Sequence, residues 1–184
     1  GIGALYIRPG VQLEPLLHGA GHEGGHRPGT ENVLHIVGLG QACLIAGRDL
    51  QRNMGHFQSM RDRLHGELAR ELGGEAVRLN GHPENRLPNT LSLSFRGVEA
   101  NTLLSKIGEQ VAASAGAACH AGEVNVSTVL EAMAVPLEWA MGTVRFSVGR
   151  RTSADEIDRA AKIVAEAVRR LQKPPVAALD LPGR

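Results

Sequence analysis

Beyond residue 75 the sequence alternates between two hydrophobic periods, and that alternation leaves few folds open to it. Residues 76–79 and the run Leu91-Ser92-Leu93-Ser94-Phe95 alternate or run apolar, as strands do, and a Gly/Pro/Asn loop separates them. A helix over Glu99–Ile107 leads into a strand at Val111–Ser114. Short helices are expected at Thr128–Ala134 and Leu137–Met141, then a strand at Thr143–Val148. Ser153 and Glu156 have the spacing of a capping box, and Ile157, Ala161, Val164, Val168 and Leu171 then mark one apolar helix face. Strands interleaved with helices bury their apolar surfaces only as layers, so the expected class is α/β or α+β.

The first third reads differently. Residues 2–7 have the pattern of a short buried strand, and residues 8–29 are rich in Gly and Pro, as in a long ordered loop that carries function. Thr30 is expected to cap a helix running through Val33, Val37, Cys43 and Leu44. Phe57, Met60, Leu64, Leu68 and Leu72 mark a second helix, ended by Gly73-Gly74. A boundary near Asp49 divides the chain. Residues 1–48 are read as the end of a larger domain, 49–173 as a compact small domain, and 174–184 as a Pro-rich tail. Cys43, between Ala42 and Leu44, reads as a small buried hydrophobe, and Met133 and Trp139 as core.

Hydrophobic content of 42% suffices for a sizeable core. The balance of 20 basic against 19 acidic side chains excludes the clustered positive charge of a nucleic-acid surface. No apolar stretch reads as long enough to span a bilayer, so no membrane partner is expected. Two cysteines in unlike contexts do not form a disulfide framework, which points to a reducing compartment, the cytoplasm or an organelle matrix.

Two motifs mislead. His22-Glu23-Gly24-Gly25-His26 spells a zinc-protease signature, which works only when both histidines share one face of a helix. Two internal glycines, each costing about 1 kcal/mol in a helix, argue against that helix. Gly19-Ala20-Gly21-His22-Glu23-Gly24 spells a dinucleotide fingerprint without the preceding strand that such a site requires. No metal is assigned, and no catalytic role falls to His18, His22, His26 or His35.

The chemistry gathers further on. Cys119 lies in Ala115-Gly116-Ala117-Ala118-Cys119-His120-Ala121-Gly122, a run of small residues that leaves a thiol open to a substrate. Arg145 interrupts the mostly apolar strand Thr143–Val148, and a guanidinium there suits a small carboxylate-bearing substrate. A strand arginine paired with an acidic neighbour is the structural alternative for Arg145. Four segments, in order, resemble NifS-like cysteine desulfurases and selenocysteine lyases. They are Gly1–Arg8, Gly19–Asn32, Arg86-Leu87-Pro88-Asn89-Thr90, and the Cys119 run with Arg145. These are pyridoxal-phosphate enzymes of the class V aminotransferase fold, and the resemblance spans about residues 1–172.

The resemblance implies the end of a large cofactor-binding domain followed by a small C-terminal α+β domain. It assigns Cys119 as the nucleophile that takes substrate sulfur as a persulfide and Arg145 as the ligand of the substrate carboxylate. Thr30 would reach the phosphate of the cofactor in the neighbouring subunit of a homodimer. The expected substrate is L-cysteine, converted to L-alanine, with the sulfur passed to an acceptor or scaffold protein for iron–sulfur clusters or other sulfur transfer. Selenocysteine lyase is the alternative activity, and a non-catalytic persulfide carrier the alternative of another class. One departure matters: the lysine that holds pyridoxal phosphate as a Schiff base has no match among Lys106, Lys162 and Lys173. The sequence is therefore read as a fragment, inactive alone. His120 and Arg150 receive no role.

Overall fold

The structure is a computed structural model that describes residues 1–172 apart from Ala117, Ala121 and Gly122, with the backbone alone described at 118–120 and 123–125. Its contacts divide into two compact units, residues 1–50 and residues 51 onward.

In the first unit residues 2–7 form no strand; they have no ladder partner among the described residues, and Leu5 and Tyr6 are exposed. A strand is stabilised by cross-strand pairs, and the apolar pattern cannot supply them. The next segment holds a 3-10 turn at Glu23–Gly25, with His22 and Arg27 bridged across it. Glu23 and Gly24 both adopt positive φ. His22 and His26 therefore flank a tight turn rather than share a helix face, and the zinc-protease spelling lacks its scaffold.

Helix α1 runs unbroken from Val33 to Leu72, 40 residues where the periodicity suggested two helices. The stretch joining the two apolar patterns holds no proline, and its glycines at 47 and 55 lower propensity without offering a competing cap. Its cap is Asn32 rather than Thr30: Asn32 Oδ1 accepts from the backbone N–H of His35 at 3.3 Å. Cys43 is exposed, not buried. One 18-residue window of α1 has a mean hydropathy of 1.3 and none of it is buried. By length and composition alone this window is enough to cross a bilayer. The expectation that no such stretch exists is thus corrected, because interspersed Gly, Ala and His hid the run from inspection.

The second unit is a four-stranded antiparallel sheet backed by helices. Strands β1 (Val77–Leu79), β2 (Thr90–Phe95), β3 (Ser114–Ala115) and β6 (Thr143–Ser147) stand in the order β1-β2-β6-β3. Strands β4 (Ala118–His120) and β5 (Glu123–Asn125) pair separately as a hairpin. Helices α2 (Ala100–Ile107), α3 (Thr128–Ala132), α4 (Leu137–Ala140) and α5 (Ala154–Gln172) complete the unit. The expected strand from Val111 shrinks to Ser114–Ala115: Val111 and Ala113 pack on the core, but only residues 114 and 115 pair with β6.

Alternation on the strands explains the layering. Leu91, Leu93 and Phe95 of β2 and Val144 and Phe146 of β6 are buried in one core with Leu103 and Ile107 of α2 and Ile157, Ala161, Val164 and Val168 of α5. Leu64 and Leu68 add the far end of α1 to it. Arg63 forks onto Asp158 (2.6 and 2.7 Å), and Arg169 meets Glu71 at 2.7 Å, tying α1 to α5 twice. The capping box forms as read, with Ser153 and Glu156 exchanging backbone and side-chain bonds. Gly142 permits the β2–α4 contact, since a Cβ there would run into the carbonyl oxygens of Phe95 and Val98. Trp139 packs on a small satellite cluster of Leu130, Val135 and Ala140, whereas Met133 is exposed and not core.

Candidate active site

The sheet has two unlike faces. Side chains that alternate with the core residues project to the other side, and they are polar: Arg78, Thr90, Ser92, Ser94, Ser114, Thr143, Arg145 and Ser147. Arg145 stands near the middle of this face. Its cross-strand neighbours are Ser92 on β2 and Ser114 on β3. It is exposed, and no acidic side chain pairs with it among the described residues. The surface ion pair that was the structural alternative for Arg145 is thus not formed among those residues. A free guanidinium fork on an open polar face can accept a carboxylate by two parallel hydrogen bonds.

The floor of this face is fixed by a relay. Asn80 Nδ2 donates to Ser94 Oγ (2.8 Å), which lies 2.7 Å from Thr143 Oγ1, and Thr143 Oγ1 donates to Trp139 O at 3.4 Å. Asn80 Nδ2 also approaches Ser92 Oγ at 3.4 Å. Sequence reading passed over these residues, although the Leu-Ser-Leu-Ser alternation that marked β2 already put Ser92 and Ser94 on the face away from the core.

Cys119 lies in β4, opposite Val124 of β5, so its backbone is held in an antiparallel pair. Its side chain lies outside the described residues, as do the side chain of His120 and the whole of Ala121 and Gly122. The path leading to it is clear. Ser114 and Ala115 pair with Arg145 and Val144, and Gly116 N donates to Thr143 O at 2.7 Å. A side chain at Gly116 would collide with Thr143. The chain leaves the sheet there, and three residues later, within about 11 Å of extended chain, comes Cys119. Topology therefore brings the thiol's hairpin and the arginine to one edge of the sheet.

Thr30 belongs to the other unit. It is exposed and stands two residues before the cap of α1, so it does not share the free N–H groups of the helix start. Arg27 orders this loop by donating to the carbonyl oxygens of Pro28 (2.8 Å), Gly29 (2.6 Å) and Thr30 (3.3 Å). No local pattern in the residues marks that clamp. Arg150 is exposed beside Arg151 in a shallow depression with Thr152 and Glu156.

The residues described here do not suffice to hold pyridoxal phosphate. Its Schiff base needs a lysine aimed into the site. Lys106 and Lys162 are exposed on α2 and α5, in the helix layer that covers the opposite face of the sheet from Arg145. Lys173 lies outside the described residues.

Comparison with known proteins bears on the fold and the family. The chain is 40% identical over 173 residues to the cysteine desulfurase IscS of Methanosarcina thermophila, and 39% over 175 residues to the cysteine desulfurase NifS of Azotobacter vinelandii. Each alignment covers 94% of this chain but 42% of the relative, so the chain spans about two fifths of the length of the proteins it matches. Among solved structures, a NifS-like protein superposes with a TM-score of 0.75 at 34% identity, over 89% of this chain and 41% of that one. A NifS-like protein from Rickettsia africae gives 0.74 at 25% identity, over 86% and 41%. The profile of class V aminotransferases matches residues 1–160, and the chain belongs to that family.

Proposed function

We propose that this chain is the C-terminal part of a pyridoxal-phosphate-dependent cysteine desulfurase that converts L-cysteine to L-alanine and leaves the sulfur on Cys119. The observation that carries the reading is the exit of the Cys119 hairpin from β3, the strand directly beside Arg145. A cysteine whose carboxylate is held by Arg145 would present its sulfur on the side where the hairpin leaves the sheet. The overall change balances: the enzyme thiol and the substrate thiol become an enzyme persulfide, and the substrate carbon that loses its sulfur gains a hydrogen. Thiolate is the reactive form of Cys119. Arg145 binds and orients the amino acid.

Pyridoxal phosphate supplies the electron sink for such chemistry when bound. The lysine that anchors it would come from polypeptide beyond the described residues. Thr30, with its loop clamped by Arg27, would reach the phosphate of the cofactor in the partner subunit of a homodimer. The sulfur would pass to an acceptor or scaffold protein, in a reducing compartment such as the cytoplasm or an organelle matrix.

The test is to treat the intact protein with L-cysteine, alkylate, and map the modified peptides by mass. The reading requires one added sulfur on the Cys119 peptide and an equivalent of alanine. Sulfur on Cys43 instead, or alanine without any persulfide, would overturn the assignment. Faster turnover of selenocysteine than of cysteine would move the activity to selenocysteine lyase.

A further inference from the structure

Arg145 has a serine on each side, and the two are not equivalent. Ser92 is half-buried and its hydroxyl lies 3.4 Å from Asn80 Nδ2, within the network that continues through Ser94 and Thr143. Ser114 is exposed on the edge strand β3, and its hydroxyl has no hydrogen-bond partner among the described residues. It is also the residue from which the chain turns, through Gly116, into the Cys119 hairpin.

Directly opposed residues of an antiparallel pair stand about 4.5–5.5 Å apart, and an arginine side chain is long enough to lie across that gap. Laid toward β3, the Arg145 guanidinium comes over the small Ser114 side chain; laid toward β2, it meets a serine already engaged by Asn80. A carboxylate gripped by two guanidinium N–H groups keeps free lone pairs on both oxygens. We propose that Ser114 is a second substrate-binding residue, whose hydroxyl donates to the carboxylate held by Arg145 and so seats the amino acid on the β3 side of the arginine, toward Cys119. This rests on the reading of Arg145 as the carboxylate ligand. It adds a ligand class for Ser114, an α-amino acid carboxylate, and a direction of approach.

The experiment uses the intact holoenzyme and compares Ser114→Ala, Ser114→Thr, Ser92→Ala and Arg145→Ala, with L-cysteine and its methyl ester as substrates. A hydrogen bond to a charged group is worth about tenfold in binding. Ser114→Ala is therefore expected to raise KM for L-cysteine about tenfold with little change in kcat, and to lower selectivity for the acid over the ester by the same factor. Ser114→Thr, which keeps the hydroxyl, should restore both, and Ser92→Ala should leave both near the wild-type values. If Arg145→Ala abolishes selectivity for the acid while Ser114→Ala does not alter it, the proposal for Ser114 fails and the reading of Arg145 stands. Equal effects of Ser92→Ala and Ser114→Ala would also overturn it, since the asymmetry is its basis. If Arg145→Ala leaves the selectivity unchanged, the underlying reading itself falls.

Discussion

Residues 1–50 contain no buried side chain, whereas residues 51–172 contain every buried residue of the described chain. The two stretches do not differ in supply of apolar residues: Leu5, Tyr6, Leu16, Leu34, Val37 and Leu44 are all exposed in the first. They differ in whether those residues find partners. In the second unit the apolar residues of β2, β6, α2 and α5 recur at the periods of their elements and meet in one core. In the first unit, the apolar residues of 2–7 and of the first half of α1 belong to no buried cluster among the described residues. Local helical propensity makes α1 a helix throughout, but only its far end, at Leu64 and Leu68, is packed.

The sharpest way to break this contrast is by truncation of apolar side chains. In the 184-residue chain, Phe95→Ala or Leu93→Ala is expected to lower unfolding free energy in urea by about 3–5 kcal/mol. Leu34→Ala and Leu44→Ala should cost within about 0.5 kcal/mol. Comparable losses at all four positions would show that the first unit shares the core of the second. Glycine replacement comes next. Gly142→Ala forces a methyl group onto the Phe95 and Val98 carbonyls and should cost about 1–3 kcal/mol. Gly47→Ala, with nothing near its Cβ on α1, should instead gain up to about 1 kcal/mol. The caps follow. Ser153→Ala is expected to cost about 1 kcal/mol of global stability. Asn32→Ala should leave the urea midpoint in place and speed amide exchange only over the first turns of α1.

The smallest effect is on pH dependence, and the second unit carries several groups that set it. Hydrogen bonds from Arg63 to Asp158, from Arg169 to Glu71, and from the Ser153 backbone to Glu156 hold these carboxyls below the ordinary carboxylate range. For Glu99, burial opposes ionisation, but bonds from Thr102 and Asn101 outweigh it and the net direction is again downward. A depressed carboxyl contributes its stability above its unfolded value, about pH 4, and that contribution disappears as pH falls through the lower folded value. His65 is held low as well, chiefly by burial and then by Arg86. Its contribution is present above about pH 6.5 and declines as pH drops below that. Stability measured from pH 7 to pH 3 should therefore fall, and Arg63→Met combined with Arg169→Met should flatten the acid limb. An unchanged slope in that double variant would mean the α1–α5 pairs are not what sets it.

Most elements of the second unit were legible because each rests on a local rule: the Leu-Ser-Leu-Ser-Phe alternation for β2, the capping box and apolar stripe for α5, and the Thr143–Val148 run for β6. The errors fall where a residue's state depends on something distant. Residues 2–7 look like a strand but lack a neighbour to pair with. Cys43 looks buried among Ala and Leu but lies on the unpacked half of α1. Thr30 and Asn32 are both good cap residues, and Arg27, drawing on the Pro28–Thr30 carbonyls, helps decide between them.

The candidate site divides in the same way. Residue chemistry and order named Cys119 and Arg145, because a thiol in a run of small residues and a lone guanidinium in an apolar strand are unusual in sequence. The sequence could not show that Ser114 pairs with Arg145 across 30 intervening positions, or that Ser92 is engaged by Asn80 while Ser114 is not. Register is a property of the assembled sheet, set by which faces are buried and by how the chain returns to pair. Residue types and periods follow from the chain, whereas the unequal surroundings of two identical serines arise only after β2, β3 and β6 have come together.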